Sequence, residues 1–489
     1  MRLSDLLRSE EGDVMFETTG EDVEVTGITS DSRNVKPGFL FAALAGTKTE
    51  GTRFITDAVE AGASVILGTS ALKADKRFSR IVTENPRQAL AKIAARFYRV
   101  QPRVIAAVTG TNGKSSVVGF AREIWEQSCE RAASLGTLGL KPPMSTAEGS
   151  TLTTPDPALL HRLLAELVAN KIDHLAIEAS SHGLDQCRLD GLRLSVAVFT
   201  GLSRDHLDYH GSLKSYLNAK LRLFSELLPK EATAVLNADD EAFNIFNDAC
   251  VKRGLRILTY GEKGEDLRLL ESTPSDEGQD VVFEIFGKRE SLHFPFVGLF
   301  QVKNVLAALG LVHAAGGNVA TGVAALPSLR GIAGRMEAMG VLSNGARVYV
   351  DYAHTPDALT HALSALRPHT KARLCVVFGC GGDRDRGKRP EMGAIADALA
   401  DLVFVTDDNP RFEDAAVIRQ EILVASRKGK EIADRGQAIM TAVQALEAND
   451  VLLIAGKGHE LGQIVGDATL PFDDCAVAKQ AIRAERDTA

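Results

Sequence analysis

Short apolar runs recur along the chain, and most are closed by a glycine or a polar cluster. In the first hundred residues, VEVTGI at 23–28 and FLFAAL at 39–44 predict strands. A helix is predicted around 54–61, stopped by Gly62 and followed by the apolar run 63–67; glycine just past a helix end is a capping signal. A second block opens with VIAAV at 104–108, a buried-strand pattern, and a helix whose apolar side is Val117, Val118, Phe120, Ala121, Ile124 and Trp125. Further buried strands are predicted at 174–178, 195–199 and 233–237. The third block begins near Gly331, with strands at 347–350, 373–378, 402–406 and 450–455, each running straight into DYAHTPD, GCGGDRDRGKR, DDNPR or GKGHE. Strands alternating with helices predict an α/β protein whose sheets are mostly parallel and covered on both faces. Ligands of such sheets bind beyond the carboxyl ends of the strands, so the four polar loops of the third block point to one shared site.

Composition narrows the function classes. The 489 residues suffice for two to four domains, and 45% hydrophobic with 25% charged residues is ordinary for a globular protein. The charge balance of −8 argues against a general nucleic-acid binder. The N-terminus has no basic segment followed by an apolar core, and no apolar run reaches the roughly 20 residues of a membrane span, so a cytoplasmic protein with no membrane insertion is expected. The six cysteines are scattered without a C-x-x-C pair, which predicts free thiols.

Candidate chemistry begins at Gly110-Thr111-Asn112-Gly113-Lys114-Ser115-Ser116, between a predicted strand and helix. Glycines let backbone N–H groups approach phosphate oxygens, and the helix start adds partial positive charge. Lys114 would neutralise the β/γ-phosphates of ATP and the Ser115 hydroxyl would ligate Mg²⁺. Val108 stands where the full phosphate-loop pattern has glycine, so this is a shorter G-x-x-G-K-S variant. Glu178 and His206 lie at or just past the ends of core strands, where a carboxylate and an imidazole near phosphate can share a divalent ion. Taken alone, His206 reads as a hydrogen-bonded structural histidine.

Several segments in order then resemble the Mur ligase family over essentially the whole chain: TGTNGKS, Glu178-Ala-Ser-Ser-His-Gly183, Leu202-Ser-Arg-Asp-His-Leu-Asp-Tyr-His210, Gly334-Arg-Met-Glu337, Asp351-Tyr-Ala-His354 and Gly456-Lys-Gly-His-Glu460. The resemblance implies three domains: a small nucleotide-sugar-binding α/β domain at 1–100, a central P-loop ATPase domain at 101–330 and a Rossmann-like amino-acid-binding domain at 331–489. It implies an ATP-dependent ligase that activates a carboxylate as an acyl phosphate for attack by an amine. Glu178 and His206 become Mg²⁺ ligands, and Lys220, in Tyr216-Leu-Asn-Ala-Lys220, resembles the lysine that carries a CO₂-derived carbamate (N6-carboxylysine). Asn304, Arg335 and Asp351 match contacts to adenine and ribose. Ser30, Ser32, Thr47, Lys48, Thr49, Thr153, Thr154, Ser180, Gln186 and Arg188 match positions that hold a UDP-N-acetylmuramoyl dipeptide.

The same resemblance reads Asp408-Asn409-Pro410-Arg411 as the signature of members that add meso-diaminopimelate, with Arg384, Gly456 and Glu460 completing the amino-acid site. An arginine fork matches the extra carboxylate that distinguishes diaminopimelate from lysine. Two departures stand out: Gly201 replaces a frequent Asn, putting a side-chain contact near the metal in doubt, and Gln301 replaces an Asn on the adenine side. Either His459 or Asp351 could take the proton of the attacking amine. A monomer acting on small molecules is expected. The alternatives are a lysine-adding or folate-polyglutamylating relative, or a P-loop regulatory ATPase that forms no bond.

Overall fold

The computed structural model describes residues 1–8, 16–46, 51–144, 152–275 and 278–488. Among the described residues three large sheets follow one another along the chain, with a two-stranded hairpin, Gly462–Val465 and Ala468–Pro471, near its end. The first has five strands in the order Glu17–Thr19, Ser79–Val82, Val65–Gly68, Phe39–Ala42, Gly27–Thr29, parallel except for the antiparallel edge strand Glu17–Thr19. The strand expected at 23–28 is only Gly27–Thr29. Leu3 N donates to Val23 O and Val25 N to Met1 O, so the N-terminal segment takes up the preceding backbone groups. The predicted helix at 54–61 is Ile55–Glu60 after a 3₁₀ turn Gly51–Phe54, and Gly62 follows at φ +99, a conformation that suits a residue without Cβ.

The second sheet has ten strands. Its parallel centre runs Arg256–Gly261, Thr233–Asn237, Val196–Phe199, Val104–Thr109, His174–Glu178, Ala132–Gly136. Strand order reverses around Val104–Thr109, which opens a crevice beyond its carboxyl end. One face is covered by helices Lys114–Gln127 and Leu299–Ala314, the other by a core that includes Leu160, Leu163, Leu164 and Phe224. The expected parallel sheet is extended by an antiparallel meander, Leu267–Ser275, Gly278–Ile285 and Lys288–Phe294. These strands alternate buried and exposed positions instead of forming continuous apolar runs, which is why apolar run length did not mark them.

The third sheet runs Glu337–Val341, Arg347–Asp351, Val451–Ala455, Leu374–Phe378, Leu402–Val405, Gly429–Glu431, parallel except at its first strand. Val451–Ala455 inserts between two earlier strands, so the loops after Asp351, Phe378, Val405 and Ala455 open at the same end. Apolar clusters fill both faces. All six cysteines are unpaired. Among the described residues no helix is long and apolar enough to cross a membrane.

Candidate active site

The glycine loop occupies the crevice of the central sheet. Gly110 (φ +152) and Gly113 (φ +86) adopt conformations that side chains rarely take, and helix Lys114–Gln127 starts immediately after them. Lys114 Nζ curls back onto the Gly110 and Thr111 carbonyls at 2.9 and 2.8 Å. Thr111 donates its hydroxyl to Ser203 O, and Asn112 reaches Asp357 Oδ2 at 3.2 Å, tying the loop to the third sheet's side. Ser116 is buried beneath the loop.

Glu178, 1% exposed at the end of its strand, accepts from Ser115 Oγ at 2.9 Å and from Thr137 N at 2.9 Å. Thr137 Oγ1 also donates to Glu178 Oε2 and shares a hydrogen bond with Thr153 Oγ1. A cavity of about 170 Å³ opens beside Ser115 and Glu178. Hydroxyl and carboxylate oxygens are the donors that Mg²⁺ prefers, so this pair fits the ion.

His206 sits in the left-handed region at φ +52, its ring 4.9 Å from that of His182 and its Nε2 3.4 Å from Asp205 Oδ2. Burial holds His206 below its ordinary value against the pull of Asp205. Burial alone would raise Asp205, but His206, His354 and Lys114 outweigh it and keep the carboxylate ionised. Among the described residues Glu178 and His206 do not join a third His, Cys, Asp or Glu in a compact cluster. Among the described residues only Glu130, Asp173 and His174 do so, at the opposite end of the sheet, where Arg103 Nη2 contacts His174 Nε2 at 3.1 Å.

Lys220 is 1% exposed, donates to Gly110 O at 2.7 Å and lies 4.3 Å above the Tyr216 ring. Burial, with Lys114 nearby, drives its amine well below the usual lysine value. Lys114 and Lys220 therefore converge on one carbonyl.

On the nucleoside side, Asn304 Nδ2 donates to Gln301 Oε1 at 3.1 Å, and Gln301 Nε2 donates to Arg335 O at 3.1 Å. The longer amide of Gln301 thus bridges Asn304 to the start of the third sheet. Arg335 Nη2 reaches Ser115 Oγ at 3.2 Å while its guanidinium stacks 4.5 Å above Tyr352. Asp351 accepts from Met336 N at 2.7 Å; burial raises its carboxyl, opposed by Arg335. His459 lies 5.0 Å from Tyr352, and burial lowers it to about 4. At Gly201 (φ +149) the space a Cβ would enter is taken by Asp240, which accepts from Leu202 N at 2.9 Å.

Toward the first sheet, a cavity of about 210 Å³ is lined by Ser30, Gln186 and Arg188. Arg188 donates to Thr154 O at 2.6 Å and to Gln186 Oε1 at 2.8 Å. Thr154 is fully buried and spends its hydroxyl on Glu178 O and Ser180 Oγ, while Ser180 Oγ caps Gly183 N. Ser32 belongs to a 3₁₀ turn outside the cavity lining. Thr47, Lys48 and Thr49 lie outside the described residues.

The loops of the third sheet converge as their topology requires. Arg411 (φ +53) donates to Gly382 O at 2.8 Å, and its N–H to Ile464 O at 3.0 Å. Burial and the nearby Arg384 both lower Arg411, whose guanidinium is bonded to Gly382 O two residues before Arg384. Arg384 lies 3.9 Å from Asp208 of the central part. Asn409 Nδ2 donates to Glu460 Oε2 at 2.9 Å, and buried Lys457 donates to both Asn409 Oδ1 and Glu460 Oε2. A Cβ at Gly456 (φ +118) would strike Asp408, and Pro410 O accepts from Glu413 N.

Thr137, Asp205, Tyr352 and Lys457 escaped selection from the sequence. Asp205, Tyr352 and Lys457 lie inside the quoted motifs and could have been found there; Thr137 sits in a turn with no signal of its own.

Comparison with known proteins matches three family models in succession: "Mur ligase family, catalytic domain" at 24–98, "Mur ligase middle domain" at 108–312 and "Mur ligase, glutamate ligase domain" at 334–458. A UDP-N-acetylmuramoyl-L-alanyl-D-glutamate–2,6-diaminopimelate ligase of Bradyrhizobium diazoefficiens is 51% identical over 97% of this chain and 97% of its own length. The protein of the same name from Caulobacter vibrioides is 50% identical over 94% of this chain and 96% of its own. A solved structure carrying that name is 34% identical, with a TM-score of 0.69 over 94% of this chain and 95% of the other.

Proposed function

The chain belongs to the Mur ligase family, and from that premise we propose that it is an ATP-dependent ligase joining meso-2,6-diaminopimelate to UDP-N-acetylmuramoyl-L-alanyl-D-glutamate in peptidoglycan precursor synthesis. The observation that carries the choice of amine is the pair Arg384 and Arg411 at the mouth of the third sheet, beside Asn409 and Glu460. Two guanidiniums suit an amino acid with a second carboxylate, which lysine lacks. The residues at 1–100 would bind the nucleotide-sugar, those at 101–330 ATP, and those at 331–489 the amine.

In this reading Lys114 and the N–H groups of the 110–116 loop bind the ATP phosphates, while Asn304, Arg335 and Asp351 hold adenosine. Ser115 and Glu178, together with His206, would hold Mg²⁺, whose charge disperses that of the transferring phosphoryl group. The substrate's D-glutamate carboxylate attacks the γ-phosphorus, the bond to the β,γ-bridging oxygen breaks and ADP leaves; the acyl phosphate is then attacked by the neutral amine, phosphate leaves and the amine gives up a proton. Ser30, Ser32, Gln186 and Arg188 orient the muramyl dipeptide, with Thr153, Thr154 and Ser180 framing its acyl end. The Thr47–Lys48–Thr49 segment remains part of that proposed site. His459, kept neutral at working pH by burial, is supported as acceptor of the amine proton, because its Nδ1 has no partner among the described residues.

Lys220 is proposed as an N6-carboxylysine. A neutral amine attacks CO₂, forming an N–C bond and releasing one proton, and burial supplies that neutral amine. The carbamate would turn a repulsive Lys114–Lys220 pair into an attractive one and add an oxygen ligand. ATP and nucleotide-linked sugars are cytoplasmic compounds, which supports a cytoplasmic location; a monomer remains our reading of the assembly. The test is phosphate release from ATP with each substrate omitted in turn. Release should require both the muramyl dipeptide and diaminopimelate; release with ATP alone would favour a regulatory ATPase.

A further inference from the structure

We infer that Arg87 is a further substrate-binding residue, which together with Arg188 grips an oxyanion of the nucleotide-linked substrate where the first and second sheets meet. The inference rests on the ligase reading above and adds a residue from the other side of the cleft. Arg87 lies in the first turn of helix Pro86–Tyr98, whose start is fixed by Pro86 and by Asn85 accepting from Gln88 N. From there its guanidinium donates to Ala45 O and, at 3.4 Å, to Gln186 Oε1. That amide oxygen is the one that accepts from Arg188 Nη2 at 2.8 Å.

Both arginines line the cavity of about 210 Å³, with apolar Leu44, Leu90 and Pro157 as part of its wall. Among the described lining residues the carboxylate is Asp156, whose Oδ1 already accepts from Ala158 N and Leu159 N. Among the described residues neither guanidinium has a carboxylate oxygen within 4.0 Å, so two cations share neutral carbonyl and amide acceptors. Such a pair beside an apolar wall repels itself more strongly than in water. Burial first and Arg87 second hold Arg188 below its ordinary value. An anion between the two forks replaces that repulsion with charge-assisted bonds. The substrate carries two such groups, the diphosphate and its carboxylates.

The experiment measures steady-state kinetics of the full-length enzyme and of Arg87→Gln and Arg87→Lys, varying each substrate in turn, with UDP as inhibitor. Arg87→Gln should raise KM for the muramyl dipeptide about 10- to 100-fold, the range for losing a hydrogen bond to a charged group. Its kcat and its KM for ATP should stay within about two-fold. Arg87→Lys should recover part of the affinity, since it restores charge without the fork. UDP inhibition weakened in step assigns the contact to the diphosphate, and unchanged UDP inhibition with raised KM assigns it to a carboxylate; both outcomes support the inference. An unchanged KM in folded Arg87→Gln, or a loss of kcat alone, overturns it, and should that variant not fold, an unchanged KM in Arg87→Lys does so. Failure of the unmutated enzyme to use the muramyl dipeptide at all would instead remove the ligase reading, which the same assay registers first.

Discussion

Two lysines on one carbonyl are the residue-scale feature with the largest consequence. Among the described residues Lys220 has no carboxylate in hydrogen-bond contact, and its ammonium donates to Gly110 O. An unmodified ammonium there would lie near Lys114 in a buried space, a repulsion that the carbamate proposed above would relieve. Lys220→Ala should lose nearly all ligase activity, and small carboxylates such as acetate should restore part of it by standing in for the proposed carbamate. Arg411 carries a second residue-scale prediction. Sites built around a hydrogen-bonding group reject analogues lacking it by about 10⁴–10⁵, so kcat/KM for lysine should fall below that for diaminopimelate by a factor of that order. Arg411→Ala should lose most diaminopimelate activity while retaining ATP binding, and Arg411→Lys should rescue little. Comparable kcat/KM for the two amines in the unmutated enzyme would refute the specificity.

At the scale of elements, the loop carrying Arg411 is held by an ion network built on one buried arginine. Arg389, in helix Lys388–Leu399, is fully buried and pairs with Glu413 at 2.9 Å and Glu421 at 2.6 Å. Glu413 also accepts from Asp383 N and pairs with Arg386. Its hydrogen bond with Arg389, set against burial, lowers Glu413 from 4.5 to about 2. A carboxylate depressed on folding contributes stability above its unfolded value, and that contribution is lost as pH falls through the folded one. Glu413 should therefore stabilise the protein fully above pH 4.5 and progressively less down to about 2. Glu413→Gln should lower Tm near neutral pH by leaving Arg389 short of a partner, and should flatten the fall of Tm with acid over that window. Parallel pH profiles of Tm for the two proteins would sink this account.

At the scale of the whole molecule, the proposed ATP site is closed by a residue that lies just ahead of the third sheet. Arg335 enters from the start of the third sheet, stacks on Tyr352 and reaches Ser115 beside the glycine loop. Gln301 fastens the same segment through its backbone. Tyr352→Leu removes the ring face but keeps apolar bulk; a cation–π contact of about 0.5–2 kcal/mol corresponds to a rise in KM for ATP of roughly 2- to 30-fold. Isothermal titration with ATP should show the same weakening, and unchanged affinity would mean that Arg335 is held by Ser115 and the backbone alone.

How much of this was legible in the sequence depends on the range of the interaction concerned. The strands at 174–178 and 233–237, the glycine loop with Lys114 and Ser115, and the polar clusters ending the third block's strands were readable, because strand burial and loop conformation are encoded by neighbours a few residues apart. The meander at 267–294 was not, since half-buried strands alternate and lack continuous apolar runs. Gly201 and Gln301 read as departures that put a contact near the metal and one on the adenine side in doubt. Only the fold brings Asp240 into the space beside Gly201 and stretches Gln301 from Asn304 to Arg335. The same holds for Lys220 meeting Lys114, and for Arg87 meeting Gln186 and Arg188 across the cleft. Local sequence determines which groups each loop carries; which loops face one another follows from strand order, and strand order is decided by long-range packing.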